Sequence, residues 1–214
     1  MAEVSRREFM KQTAGTTAAL AVGFNIARSA KASPNDTIRV AVVGIRGRGR
    51  SHIRGFHELP NVEVTAICDV DENVIAERLK NMEEWGVPKP KVYIDIRKLL
   101  EDKDIDVVSF ATPNHWHALG TIWACQAGKD VYVEKPCSHN VWEGRKIVEA
   151  AKKYNRIVQH GTQMRSSVAI HAAIEFLRSG QLGEVYMAKG LCYKWRPSIG
   201  KVDGPQPIPK GVHY

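Results

Sequence analysis

The sequence predicts an α/β chain built around a doubly wound parallel sheet. Three observations predict it. Short β-branched apolar runs alternate with amphipathic stretches over residues 37–160, a glycine-rich turn follows directly on the first run, and an acidic residue closes the second. The 214 residues suffice for one domain of ordinary size and part of another. Apolar residues make up 43% and charged residues 25%, the composition of a soluble globular protein with a core that needs no disulfides.

Residues 37–43 (T-I-R-V-A-V-V) read as a buried parallel strand, because a strand covered on both faces is apolar without alternation. It runs into Gly44-Ile45-Arg46-Gly47-Arg48-Gly49. Residues 50–57 follow as a helix with Ile53 and Phe56 on one face. Residues 62–68 are the second strand, and Asp69 closes it 20 residues after Gly49. The order strand, glycine turn, helix, strand, acid is what a dinucleotide requires. Glycines let the backbone turn sharply and approach the pyrophosphate, and the helix N-terminus offers that anion free N–H groups. An acid at the end of the second strand accepts hydrogen bonds from the ribose hydroxyls and repels a 2′-phosphate, which favours NAD over NADP. Arg46, Arg48 and Arg50 pull the other way, since arginines near that ribose can accommodate the extra phosphate. The spacing, G-x-x-G-x-G through Gly44, Gly47 and Gly49, departs from the usual G-x-G-x-x-G, with Arg46 where the middle glycine would stand. These glycines alone are weak evidence, and it is their place after a strand, together with Asp69, that gives them meaning.

The alternation continues. Helices are expected at 73–84 (Ile75, Leu79 and Met82 on one face), 96–100, 118–126 and 141–154, and strands at 91–94, 105–111, 131–133 and 156–160. Together these make a Rossmann sheet, in which ligands bind beyond the carboxyl ends of the strands. Three segments occupy that edge: Ala111-Thr112-Pro113-Asn114-His115-Trp116-His117, Glu134-Lys135-Pro136-Cys137, and Gly161-Thr162-Gln163-Met164-Arg165. Lys135 is the catalytic candidate. Oxidising a hydroxyl-bearing carbon requires the hydroxyl proton to leave, and a lysine buried in a cleft can orient the oxygen and relay that proton. On spacing alone, Lys135 reads rather as a surface lysine before a strand-ending proline. The H-x-H pair His115 and His117 has no third ligand nearby in sequence, so a loop lining or helix cap is expected there and not a metal. Trp116 suits the cofactor or the core alike.

The chain opens with Ser5-Arg6-Arg7-Glu8-Phe9-Met10-Lys11, which is similar to the twin-arginine export consensus. A mild apolar stretch over 13–27 follows, then Ala30-Lys31-Ala32 as a cleavage site. Residues 1–32 therefore read as a signal, residues 33–160 as the nucleotide domain and residues 161–214 as the start of another. The expected location is periplasmic or secreted, with membrane contact only during export. Of the formal net charge of +8, a surplus of three belongs to residues 1–32, leaving +5. No Lys/Arg run reaches five and no aromatic–basic interleaving occurs, so nucleic acid is not an expected partner. Cys68, Cys125, Cys137 and Cys192 form no C-x-x-C pair and read as buried free thiols.

Taken together, G-x-x-G-x-G with Asp69, A-T-P-N-x-x-H and E-K-P resemble the glucose–fructose oxidoreductase/inositol dehydrogenase (Gfo/Idh/MocA) family over about residues 36–195, and G-I-R-G-R-G-R resembles its exported bacterial branch. The resemblance implies NAD as cofactor, held by Gly44, Arg46, Gly47, Arg48, Gly49, Asp69, Thr112, Pro113, Asn114, His117, Glu134, Lys135 and Gln163. It implies that Lys135 assists catalysis on a sugar or polyol. It also implies an α+β substrate domain that forms the oligomer contact, of which only the beginning stands here: a helix over 167–179 and a strand over 183–189. Full-length members continue beyond this and draw a second catalytic group from that continuation. Three readings stay open: a dehydrogenase, a glycosidase working by oxidation, elimination and reduction, and a fragment that binds NAD without catalysis. A cofactor carried out folded must stay bound, so purified protein should release NAD on denaturation, measured by mass spectrometry. Asp69→Ala should weaken NAD binding in calorimetry, and an unchanged affinity would remove Asp69 from the ribose site.

Overall fold

The computed structural model describes residues 37–198 and 200–213. The expected twin-arginine signal, residues 1–32, lies outside the described residues. A compact unit begins at Ile38. Its strands are β1 (Ile38–Val43), β2 (Val62–Cys68), β3 (Lys91–Tyr93), β4 (Val107–Phe110), β5 (Asp130–Glu134) and β6 (Val158–Gly161). Its helices are α1 (Arg48–His57), α2 (Glu72–Glu84), α3 (Ile96–Glu101), α4 (His117–Gln126), α5 (Val141–Lys153) and α6 (Val168–Arg178).

The six strands lie in the order β3-β2-β1-β4-β5-β6, and every pairing is parallel. This is the Rossmann arrangement. The chain winds outward from β1 to β3, crosses back, and winds the other way from β4, which leaves a crevice where β1 and β4 part. The register aligns the strand ends along one edge, with Val43 opposite Cys68 and Phe110, Phe110 opposite Val133, and Glu134 opposite Gly161.

Alternating side chains divide the core between the two sheet faces. Val40 and Val42 of β1 join Ile53 of α1 and Val74, Ile75 and Met82 of α2 on one face. Ala41 and Val43 join Leu99 and Leu100 of α3, Ala124 and Cys125 of α4 and Ala150 of α5 on the other. A bulge in β2 lets Val64 and Ile67, three apart, share a face, because Thr65 drops out of the pairing with β1.

Two features differ from the sequence reading. First, α1 begins at Arg48, two residues earlier than expected, so Gly49 lies inside its first turn. Second, residues 183–189 form no strand among the described residues, although α6 forms as expected. A strand is completed by a neighbour's N–H and C=O groups, and no described segment pairs with this one.

At the far edge of the sheet, the carboxylate of Asp102, the C-cap of α3, receives Lys91 Nζ at 2.9 Å and the Tyr93 hydroxyl at 2.7 Å. Hydrogen bonds from Lys91, the Asp104 backbone and Tyr93 hold the Asp102 carboxyl at about 2, below its ordinary 3.8. Nearby, the buried Lys129 ammonium donates to the carbonyls of Asp102 and Ile105 at 2.6 and 2.7 Å, and burial lowers its pKa. A depressed carboxylate stabilises the fold above its unfolded value and ceases to do so as pH falls through the folded one. The melting-temperature gap between wild type and Asp102→Asn should therefore be full above pH 3.8 and close as pH falls towards about 2. Thermal melts across that window check it.

Candidate functional site

The glycine turn leaves β1 at the crevice. Gly44 takes φ +79°, a conformation that L side chains avoid, and donates its N–H to Cys68 O at 2.9 Å. A Cβ on Gly44 would stand 2.7 Å from the Thr112 nitrogen, and one on Gly49 would stand 2.0 Å from Gly44 O. Both positions are closed to any side chain by backbone. At Gly47, the N-cap of α1, no atom lies within 4 Å of where a Cβ would be. This glycine faces open space at a helix N-terminus that has no side-chain cap, the geometry that lets an anion approach free N–H groups.

Asp69 closes the turn from the β2 side. Its Oδ2 accepts from Ile45 N at 2.9 Å and its Oδ1 from Asp71 N at 3.1 Å. Each oxygen keeps a further lone pair for a ligand hydroxyl. Below the turn, the buried guanidinium of Arg78 donates through Nε to Ile45 O at 2.9 Å and through Nη2 to Arg46 O at 3.2 Å, and it also meets Asn81 Oδ1. Burial lowers the pKa of Arg78, but these three partners and the Glu77 carboxylate, 3.4 Å from Nη2, hold its charge in place.

The three arginines of the turn have partners. Arg46 pairs with Asp71 at 2.8 Å, Arg48 with Glu134 at 2.7 Å, and Arg50 lies over the Trp85 ring at 5.3 Å.

Glu134, at the end of β5, is the hub of the site and is buried. Its Oε1 accepts from Arg48 Nε, from His52 Nε2 at 3.0 Å and from the amide of Gln163, and its Oε2 accepts from Lys135 N at 3.2 Å. Burial would push this carboxyl up, but the hydrogen bonds from Arg48 and His52 outweigh it and the pKa falls. His52, buried on α1, turns its Nδ1 to the Ser109 hydroxyl at 2.8 Å. Burial lowers the His52 pKa, against the pull of Glu134, and so favours the neutral ring. The contacts fit one tautomer: Nε2–H donates to Glu134, and Nδ1 accepts from Ser109.

Lys135 is exposed, and its peptide bond to Pro136 is cis. The burial expected of Lys135 is not supplied by the described residues, because it stands past the end of β5 where none of them covers it. Thr112 lies in the crevice wall with its Oγ1 buried and without a partner, while Pro113 and Asn114 are exposed at the rim. The buried His117 ring faces Pro136 O with Nδ1 at 2.6 Å and Thr112 O with Nε2 at 2.9 Å, tying the loop after β4 to the turn after β5. His117 is a brace between the two loops. His115 is exposed, so the H-x-H pair does not converge.

A model of the oxidoreductase family with an NAD-binding Rossmann fold, Gfo/Idh/MocA, matches residues 38–162. The chain belongs to this family. A glycosyl hydrolase family 109 protein of Shewanella baltica is 31% identical over 210 residues, covering 86% of this chain and 45% of that protein. An α-N-acetylgalactosaminidase of Shewanella oneidensis is 30% identical with the same coverage. A myo-inositol 2-dehydrogenase of Lactobacillus plantarum superposes with a TM-score of 0.62 at 25% identity, over 70% of this chain and 43% of that one. The chain thus spans less than half the length of these proteins. The family's cofactor is NAD, and the crevice suits it: Gly47 opens space at the α1 N-terminus, and Thr112 Oγ1 is a buried polar atom lacking a partner.

Arg78, His52 and Ser109 are parts of the site that reading the sequence missed. Arg78 stood in plain view, a charge on the apolar stripe Val74–Arg78–Met82 of α2. Arg78→Met should leave two carbonyls of the turn without their donor, each costing about 1–3 kcal/mol. Calorimetry should show weaker NAD binding and thermal melts a lower midpoint. Arg78→Lys should restore only part of both, because one ammonium cannot reproduce a fork that reaches Ile45, Arg46 and Asn81.

Proposed function

We propose that this chain supplies the cofactor half of an enzyme that oxidises or reduces a hydroxyl-bearing carbon of a sugar or polyol, with Lys135 handling the hydroxyl proton. The observation that carries the reading is the position of Glu134 and Lys135. Glu134 ends β5 and Lys135 follows it, one strand from the crevice between β1 and β4, on the same edge as the glycine turn and Asp69. When bound, NAD supplies a hydride acceptor or donor. The residues do the rest. Gly47 and the first turn of α1 receive the pyrophosphate. Asp69 receives the adenosine ribose. Thr112, Pro113 and Asn114 form the wall after β4.

Glu134 has a positioning part in this scheme. Its carboxylate holds the Lys135 backbone, while Arg48, His52 and Gln163 hold the carboxylate. The Lys135 side chain then starts from an anchored main chain and orients the substrate oxygen; as the neutral amine it takes up the hydroxyl proton on oxidation, and as the ammonium it returns that proton on reduction. Residues 161–214, in this reading, open a second domain whose continuation covers Lys135 and binds the substrate. The chain is exported folded with NAD already in place.

A second reading is favoured by the names of the relatives, glycosyl hydrolase family 109 protein and α-N-acetylgalactosaminidase. Scarcity of free NAD outside the cytoplasm points the same way. A retained cofactor suits a redox-neutral cycle in which a sugar is oxidised, loses its aglycone and is reduced again. The two readings part in one experiment on protein extended through the second domain. Free polyols with NAD should yield NADH absorbance under the first, and aryl glycosides should release aglycone without net NADH under the second. Under either, Lys135→Met should lower turnover by about 10²–10⁴-fold while NAD affinity stays within a few-fold of wild type. Full activity in Lys135→Met would reject the assignment.

A further inference from the structure

From Val168 onward every described residue is exposed except Gly211 and Val212. These two belong to a segment that returns to the loop after β2. Glu72 N donates to Gly211 O at 2.8 Å and His213 N donates to Val70 O at 2.8 Å, so that Val212 bridges Asp71 in antiparallel fashion. Side chains reinforce the contact, with Asn73 Nδ2 donating to Lys210 O at 3.2 Å and His213 Nε2 meeting Glu72 Oε1 at 2.7 Å. Gly211 has φ +82°, and a Cβ there would stand 3.1 Å from Asn73 Nδ2, so the crossing is fitted to glycine.

The clamped loop is the one that starts at Asp69. Asp71 N donates to Asp69 Oδ1, and Asp71 Oδ2 holds Arg46 of the glycine turn. Residues 70–73 therefore bond to the returning segment on one side and to Asp69 and Arg46 on the other. We propose that residues 210–213 are a strap that completes the adenosine end of the dinucleotide site by fixing the loop that presents Asp69 to the ribose. The proposal rests on NAD occupying this crevice. The strap engages the edge of the sheet and neither core cluster, so loosening it leaves the packing of both faces untouched. Coupling of this kind is reciprocal: a strap that raises affinity for the dinucleotide must itself be held more firmly when the dinucleotide is bound.

Trypsin reads that coupling directly on the purified chain. The Lys210–Gly211 bond lies in the strap, and Lys201–Val202 lies in an exposed stretch without secondary structure, as an internal control. Saturating NAD should slow cleavage after Lys210 by a factor on the order of 10 and leave cleavage after Lys201 unchanged. Gly211→Val places a β-branched residue at positive φ, and His213→Pro deletes the N–H given to Val70. Both variants should be cut faster after Lys210 without NAD, should bind NAD several-fold more weakly in calorimetry, and should keep the wild-type circular dichroism. The proposal is overturned if the variants free the strap yet bind NAD as tightly as wild type, or if NAD protects both bonds alike. Failure of the cofactor reading looks different: wild type itself then gives no heat with NAD, and the strap's role in the site falls with it.

Discussion

The carboxyl edge of this sheet depends on how closely one stretch of main chain passes another. For the chain to leave β1, turn, and start α1 with its N–H groups aimed at the crevice, Gly49 must sit where a methyl group would lie 2.0 Å from Gly44 O. Gly44 must in turn slide past the Thr112 backbone on the far side of the crevice. Two glycines meet the steric demand, and two charged groups hold the result. Asp69 takes the Ile45 N–H from above, and Arg78 takes the Ile45 and Arg46 carbonyls from below. A turn gripped on both its donor and its acceptor side is ordered before any ligand arrives, which lowers the entropic cost of binding one.

The second half of the site is organised around a single carboxylate. Glu134 joins α1, through Arg48 and His52, to the turn that carries Lys135 and to the segment after β6, through Gln163. Because one oxygen accepts three donors, a shift of α1 is felt at Lys135 through a short chain of hydrogen bonds. His117 makes a parallel link between the loops after β4 and β5. The crevice is thus lined by exposed or unpartnered groups and backed by occupied ones.

Much of this was legible in the sequence, and the parts that were not share a cause. Periodicity and β-branched runs located all six strands, because burial on both faces leaves a local imprint at 38–43 and at 107–110 alike. The glycines and Asp69 were legible because backbone geometry restricts which residues can stand there. His52 and Ser109 were not, because their partners lie far along the chain; His52 is 57 residues from Ser109 and 82 from Glu134. A buried polar residue takes its meaning from groups that only the folded sheet brings near. The strand expected over 183–189 failed for a related reason, since propensity proposes a strand and a neighbour must complete it.

One further property follows from the seating of Cys68. It ends β2 directly beside Asp69, is fully enclosed, and has its thiol pushed up to about 12, chiefly by burial and then by Asp69. Oxidants and alkylating agents attack the thiolate, so this sulfur is chemically quiet beside Asp69. Cys192, expected from the sequence to be buried, is exposed because no described residue covers it, and electrophiles meet it first. In an oxidising compartment the floor of the crevice would accordingly escape sulfenylation and mixed-disulfide capture, while the chain's outer thiol takes the damage.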